Sequence, residues 1–178
     1  MNLGLKKDEV KIVEYTREWK EEFIRVQKEL VEYAKLDENR IEHIGSTAIE
    51  GMSAKPILDL AVGVDDLSQV DKDLLQALQK AGFLRLKVER PGEVVLAKFR
   101  DDSYQEKTHF IHLIEYQQEL WNDLVFFRDY LNGNEAARMQ YLGIKLTYLK
   151  TSSTGIKEYT DFKEAFVKET LQKRADSI

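Results

Sequence analysis

The residues best suited to chemistry in this chain lie in one segment, HIGSTAIEGMSAKPILDL, which spans residues 43–60. Gly45 allows the backbone to turn sharply and approach a ligand, while Ser46 and Thr47 offer hydroxyl groups beside backbone N–H groups. Such a turn can hold a phosphate, and Lys55 would add a positive charge. The bare pattern leaves an alternative open, because many strand-to-strand turns contain Gly, Ser and Thr for structural reasons alone.

Asp59 is the most informative residue of this segment, because its carboxylate stands within the apolar run PILDLAV. An unpaired buried charge costs on the order of several kcal/mol, so this carboxylate needs a partner. A Mg²⁺ or Mn²⁺ ion is one partner, since these ions bind carboxylate oxygens together with substrate phosphates. Pairing with Lys55 or a histidine is the structural alternative. We predict Asp59 as a catalytic residue and metal ligand.

The chain contains three histidines, His43, His109 and His112. Histidine can bind a metal or act as an acid or base near neutral pH. The alternation of a strand places His109 and His112 on opposite faces, so they do not form a two-histidine metal site. We take His112 as a candidate catalytic residue, and His43, His109 and Glu115 as further pocket candidates. The alternative is a core histidine whose hydrogen bonds are satisfied.

Several polar residues of the C-terminal third could line a cleft above the sheet. Arg128 lies in the apolar stretch VFFRDYL, where an arginine usually has a carboxylate or phosphate partner. Tyr141 and Lys145 are four residues apart on a predicted helix, as are Tyr159 and Lys163, so each pair projects from one face. We predict that Arg128 and Lys145 bind phosphate and that Tyr141 and Lys163 line the pocket. The alternative is an amphipathic helix edge with its lysine in solvent.

The elements that must position these side chains follow from hydrophobic periodicity and turn residues. In chain order they are a helix at 16–36, a short strand in RIEHIGS, a strand at 56–64, a helix at about 68–81, a meander of three strands, and helices from 117 onward. Ser68 and Asp71 have the spacing of a capping box. Breaks in the helical part are predicted near Gly133 and in TSSTG, residues 151–155.

This order of elements predicts a single α+β domain over residues 1–178. A mixed β-sheet flanked by helices forms its core at about 15–116, and helices form the C-terminal third at about 117–174. Hydrophobic residues make up 43% and charged residues 33% of the chain, which is typical of a folded globular protein.

Composition also limits the classes of function. The chain has no cysteine, which excludes disulfides, zinc–cysteine sites and thiol catalysis. The formal net charge of −5 argues against general nucleic-acid binding, which needs a basic surface. No signal peptide and no apolar run long enough for a membrane span are recognised, so we expect a cytoplasmic protein that does not bind membranes. The oligomeric state cannot be predicted.

Segment 43–60 resembles the signature of the GrpB family, bacterial proteins assigned to the nucleotidyltransferase superfamily. The departure is Glu50, where the family has Pro. Similarity continues in YTREW at 15–19, in THFIHL at 108–113, in FRDYLNGNEAARMQYLGIK at 127–145, and in YTDFK at 159–163. The resemblance therefore covers nearly the whole chain and implies a nucleotidyltransferase-like fold.

The resemblance is less informative about activity than about the fold. The superfamily's hallmark is Gly-Ser followed on the next strand by Asp-x-Asp or Asp-x-Glu, with a third carboxylate from a later strand. Two carboxylates at that spacing share one strand face and can hold two Mg²⁺ ions. This chain has Asp59-Leu60-Ala61, so the second carboxylate is missing at Ala61. Asp65 and Asp66 lie too far along the chain to replace it.

Two functions therefore remain open. The first, which we favour because Asp59 and three histidines are more polar groups than a passive pocket needs, is a metal-dependent nucleotidyltransferase-like enzyme that acts on a nucleotide or similar phosphorylated ligand. Family members fused to dephospho-CoA kinase imply that this ligand could be related to coenzyme A. The second is a binding module of the same fold without transfer chemistry, which the missing carboxylate favours. A role in a toxin–antitoxin or stress system is a third and weaker alternative.

Overall fold

The computed structural model describes residues 2–7, 9, 11–150 and 156–176. Its regular elements, in chain order, are β1 (Leu5–Lys6), α1 (Glu18–Ala34), β2 (Ile41–Ile44), β3 (Leu58–Val64), α2 (Lys72–Lys80), β4 (Phe83–Arg90), β5 (Glu93–Phe99), β6 (Glu106–Glu115), α3 (Glu119–Gly133), α4 (Glu135–Lys150) and α5 (Ile156–Ala175). The break predicted at 151–155 and the side chain of Tyr159 lie outside what is described. No helix in the described part of the chain is both long and apolar enough to cross a membrane.

The six strands form one sheet, and the prediction that the sheet is mixed is confirmed. Its order is β2-β3-β6-β5-β4, and β1 adds a short antiparallel pair to β6. β3 and β6 run parallel, whereas the other pairs along the sheet are antiparallel. This register sets Asp59 opposite Phe110 and Ala61 opposite His112. Directly opposed residues project from the same face, so these four side chains share one side of the sheet.

Successive side chains of β3 point to opposite faces of the sheet, so one set lies in the main core and the other faces α3. Leu58, Leu60 and Val62 belong to the main core, which also contains α1 and α2 residues such as Leu30 and Leu78. On the other face, Ala61 packs with Ile44, Ile114 and Trp121 beneath α3. α4 and α5 extend this second layer through a cluster that includes Tyr141 and Phe166. Asp59 therefore faces the C-terminal helices.

Two local features differ from the sequence prediction. α2 begins at Lys72, and its N-cap is Asp71, whose side chain accepts a 2.8 Å hydrogen bond from the backbone N–H of Leu74. The capping box proposed for Ser68 is wrong, because Ser68 lies in a separate 3-10 turn and donates to Asp66. β1 was not predicted, since two residues are too few to show a period.

Candidate functional site

The turn after β2 brings the chain into direct contact with Asp59. Gly45 has a φ of +70°, a conformation that favours glycine. A Cβ atom at this position would lie 2.8 Å from Oδ2 of Asp59, closer than atoms can pack. Ser46 and Thr47 follow in a short 3-10 turn, Ser46–Ala48. Gly45 is therefore required both by the backbone and by the close approach of the carboxylate.

A cavity of about 420 Å³ opens between this turn, the sheet face and the C-terminal helices. Such a volume falls within the range of small-molecule sites. Its polar lining consists of Ser46, Thr47, Lys55, Asp59, Asp123, Tyr141, Lys145 and Lys163. Its apolar lining consists of Ile12, Ile57, Phe110, Leu120, Leu124, Phe127, Val167 and Leu171. The cavity thus combines a cationic, hydroxyl-bearing part with a large apolar wall.

Lys145 is the least solvated charged group of the cavity, with 3% of its surface exposed. Its Nζ donates to the hydroxyl of Ser46 at 2.5 Å and, more weakly, to the carbonyl of Ser53 at 3.4 Å. It also lies 4.4 Å from the centre of the Tyr141 ring. No carboxylate in the described part of the chain forms an ion pair with it. Burial, followed by repulsion from Lys163 and Lys55, lowers the pKa of Lys145 to about 7.

Two further lysines surround the same cavity. Lys55 and Lys163 both remain exposed, and Lys163 comes from α5. Partial loss of hydration and the charge of Lys163 lower the pKa of Lys55, while Asp59 opposes this effect. Burial raises the pKa of Tyr141 to about 12, so its hydroxyl remains protonated near neutral pH. Three amines and three hydroxyl groups, those of Ser46, Thr47 and Tyr141, therefore line the same cavity.

The carboxylate of Asp59 contacts the imidazole ring of His112. His112 lies between two carboxylates, with Nε2 at 3.3 Å from Oδ1 of Asp59 and Nδ1 at 2.6 Å from Oε2 of Glu93. Burial opposes protonation of His112, but the hydrogen bonds and charges of both carboxylates outweigh it and raise the pKa to about 9. The same hydrogen bond lowers the pKa of Glu93. The ring is thus an imidazolium that links β3, β6 and β5.

The donor set does not fit a resident metal ion. In the part of the chain that the structure describes, no cluster of three or more His, Asp or Glu residues could hold one. Oδ1 of Asp59 faces His112, Oδ2 rests against Gly45, and Ala61 presents a methyl group where a second carboxylate would stand. A site for Mg²⁺ or Mn²⁺ normally needs more oxygen ligands from protein or substrate.

Two of the other candidate residues lie behind the turn rather than in the cavity. His43 is buried, stacks on Phe23, and contacts the hydroxyl of Thr47 at 2.9 Å through Nε2. Burial lowers the pKa of His43 to about 4. Arg128 donates from Nη1 to Glu42 and, at 2.9 Å, to the carbonyl of His43. Its Nε also donates to Asp129 at 2.8 Å, so its carboxylate partners are Glu42 and Asp129, and the contacts with β2 fasten α3 to that strand.

The remaining candidates on β6 also point away from the cavity. His109 faces α1, where its Nε2 lies 3.2 Å from Oε1 of Glu22 without hydrogen-bond alignment. Burial lowers the pKa of His109 to about 4. Glu115 accepts a 3.3 Å hydrogen bond from the N–H of Leu67 at the strand end. The predicted separation of His109 and His112 onto opposite faces agrees with these contacts.

Glu93 and Asp123 were missed in the sequence. Glu93 follows the Pro91-Gly92 turn at the start of β5, and the pairing of β5 with β6 brings it to His112. An acidic residue at the start of a strand whose next four residues are apolar was the available signal. Asp123 lines the cavity from α3 and accepts a 2.6 Å hydrogen bond from Arg174. Its amphipathic helix position gave no comparable signal.

Glu50, which departs from the family pattern, has a structural role that proline could not fill. Its backbone N–H donates to Oδ1 of Asn132 at 2.8 Å, and Nδ2 of Asn132 donates to the carbonyl of Ala48 at 3.1 Å. Proline has no N–H group. The amide of Asn132 therefore fastens the loop after the Gly-Ser turn to α3.

Comparisons with known proteins agree with this architecture. A family model described as GrpB protein matches residues 9–173. The glutamate-rich protein GrpB of Alkalihalophilus pseudofirmus is 39% identical over 171 residues, which covers 95% of this chain and 98% of that protein. A UPF0157 protein of Deinococcus radiodurans is 34% identical over 142 residues, covering 80% and 71% of the two chains.

Solved structures extend the comparison to the fold. The conserved protein GrpB from Enterococcus faecalis has a TM-score of 0.74 and 28% identity, and the match covers 92% of this chain and 99% of that one. Cid1 poly(U) polymerase with bound MgGTP has a TM-score of 0.52 and 13% identity, covering 75% and 43%. The second likeness concerns the fold alone. This chain belongs to the GrpB family and has a nucleotidyltransferase-like fold.

Proposed function

We propose that the cavity binds a nucleotide or a similar phosphorylated ligand, and that the protein acts as a binding module rather than as a metal-dependent transferase. The main support for this proposal comes from Lys145. Its amine is buried among hydroxyl groups and has no carboxylate partner in the described part of the chain. Because a buried cation without a counterion is costly, a bound anion would remove a penalty that the free protein carries.

The arrangement around Lys145 suits a phosphate. Ammonium groups act as point charges toward phosphate oxygens, and hydroxyl groups donate to the same oxygens. Ser46 and Thr47 would donate from the turn, while Lys55 and Lys163 would add charge from two other sides. Ser46, Thr47, Lys55 and Lys145 were predicted from sequence as phosphate ligands, and Lys163 was predicted as a pocket residue. Arg128, also predicted as a phosphate ligand, instead holds α3 against β2.

The rest of the cavity suits the organic part of such a ligand. Phe110 and Phe127 provide aromatic surface, and Leu120 and Leu124 line the same wall from α3. A nucleobase or another flat group would bind favourably against such side chains, because apolar surface is buried and aromatic rings stack. A ligand with phosphate at one end and an aromatic group at the other, such as an adenine nucleotide or dephospho-CoA, matches this polarity.

Metal-dependent nucleotidyl transfer is the second candidate. It is favoured by the position of Asp59 on the cavity wall and by the likeness to a polymerase whose solved complexes contain MgGTP and MgATP. The donor set described above argues against it. A bound nucleotide that brings its own cation would leave Asp59 as the main protein carboxylate within reach, which is fewer than two-metal transfer normally uses.

A thermal-shift panel tests the proposal. ADP, ATP, dephospho-CoA, coenzyme A and pyrophosphate are each added with EDTA or with excess Mg²⁺. A ligand at about 100 times its dissociation constant stabilises the folded state by roughly 2.7 kcal/mol, which gives a readable shift in Tm. The proposal predicts a shift with at least one nucleotide in EDTA. A shift that requires Mg²⁺ favours transfer, and no shift with any member contradicts both candidates.

A further inference from the structure

The contacts of His112 indicate whether this site needs a divalent metal ion. An imidazole ring that faces a carboxylate with each nitrogen donates from both nitrogens only as an imidazolium. Its neighbours Asp59 and Glu93 lie on strands to either side of β6, so the ring joins three adjacent strands. A divalent ion that bridges two carboxylates would occupy the same position.

We propose that the cationic ring of His112 takes the place of a divalent metal ion between Asp59 and Glu93, so that the cavity binds its phosphorylated ligand without a metal. In this arrangement His112 is a positioning residue. It neutralises Asp59, which lines the cavity, and Glu93 behind it, and so offsets their charge toward the ligand's phosphate. The part that concerns ligand binding rests on the proposed function, whereas the part that concerns metal does not.

The neighbouring groups support this assignment. Glu93 also accepts a 3.2 Å hydrogen bond from Arg90, so both of its oxygens are engaged. Side-chain exposure is 17% for His112 and 11% for Glu93, so the pair is shielded from solvent. Ala61, opposite His112 on β3, leaves room for the ring where a longer acidic side chain would compete. The small side chain at position 61 is therefore compatible with the imidazole ring at position 112.

Mn²⁺ titrations followed by electron paramagnetic resonance test the metal part without any ligand. Wild-type protein is expected to bind no stoichiometric Mn²⁺. His112→Ala leaves two carboxylates around an empty space, so its Mn²⁺ affinity should rise at least about tenfold. Adding Glu93→Gln to His112→Ala should abolish the gain. Stoichiometric Mn²⁺ binding by wild type, lost in Asp59→Asn, would overturn the proposal even if His112→Ala fails to fold.

ADP binding by isothermal calorimetry tests the second part. If His112 replaces the metal, EDTA does not weaken ADP binding to wild-type protein relative to excess Mg²⁺. ADP binding that disappears in EDTA would overturn the inference while leaving the cavity's role as a nucleotide site intact. If ADP does not bind under either condition, the nucleotide site itself is in question, and the Mn²⁺ result still decides the role of His112.

Discussion

The ammonium group of Lys145 on α4 donates a 2.5 Å hydrogen bond to the hydroxyl of Ser46, although the two residues are 99 positions apart in the chain. This contact joins the helical third of the chain to the Gly-Ser turn of the sheet. It places a buried amine, whose pKa burial lowers to about 7, on the cavity wall beside the turn. Phosphate binding in this cavity would depend on this contact more than on any other.

Replacing Lys145 with Met should stabilise the ligand-free protein against unfolding, and the size of this stabilisation should depend on pH. The folded-state pKa of about 7 lies below the ordinary value of 10.5, so the unfolded state binds more protons between these values. Stability of wild type therefore rises with pH across this window, and the penalty is complete below about pH 7. Lys145→Met removes this penalty, so the variant should gain at most roughly 5 kcal/mol in free energy of unfolding.

Urea unfolding at several pH values measures this effect. The advantage of Lys145→Met over wild type should be largest below pH 7 and should shrink toward pH 10.5. Lys150→Met, which removes an exposed lysine of the same helix, is the matched control and should show no such trend. A pH-independent difference for Lys145→Met would mean that packing changes, not the buried charge, determine it.

His112→Gln should destabilise the protein, because the charge of His112 makes the stability of wild type fall, rather than rise, with increasing pH. The folded-state pKa of about 9 lies above the ordinary 6.5, so the folded state binds more protons between these values. The stabilisation is fully present below pH 6.5 and is lost as pH rises through 9, with an upper bound of roughly 3 kcal/mol. Unfolding experiments should find wild type more stable than the variant at pH 6. A gap that persists unchanged at pH 10 would exclude the charged bridge.

Gly45→Ala should destabilise the protein more than Gly51→Ala. Both glycines have positive φ, +70° and +73°, so both variants carry the backbone cost of about 1 kcal/mol. An added Cβ at Gly45 also meets Asp59 Oδ2 at 2.8 Å, whereas nothing lies within 4 Å at Gly51. Chemical denaturation measures both. Equal losses would mean that Asp59 moves away freely and that its contact with the turn is not fixed.

Arg128→Met should lower stability without changing ligand affinity. Its guanidinium satisfies Glu42 and the carbonyl of His43, and loss of such charged hydrogen bonds costs about 1–3 kcal/mol. A double-mutant cycle with Glu42→Gln should give a clear coupling energy. Weaker nucleotide binding by Arg128→Met at unchanged stability would instead support the sequence-based assignment of this arginine to phosphate.

The fold was predictable because its signals are local. The all-apolar run of β3, the amphipathic period of α1 and the turns at Pro91-Gly92 and Gly133 each mark an element within a few residues. β1 was missed because two residues carry no period. The start of α2 was placed too early because Ser68 has the right spacing for a cap, while its side chain is engaged by Asp66.

Local sequence predicted the part of the site that one strand pair brings together, whereas Tyr141, Lys145 and Lys163 were placed in the pocket through the resemblance to the GrpB family. Gly45, Ser46 and Asp59 lie on consecutive segments, so their proximity follows from one strand pair. Glu93 meets His112 through a pairing that periodicity does not reveal. Arg128 was correctly expected to need an anionic partner, but sequence could not decide between a phosphate and Glu42.

Calorimetric titration of ADP into wild type, Lys145→Met and Lys150→Met tests the central claim most directly. Loss of a charge-assisted contact to phosphate should weaken binding at least about tenfold in Lys145→Met, whereas Lys150→Met should bind as wild type does. Folding of each variant is checked by its unfolding curve. If Lys145→Met binds ADP as tightly as wild type, Lys145 is not a phosphate ligand, and the account of this cavity is contradicted.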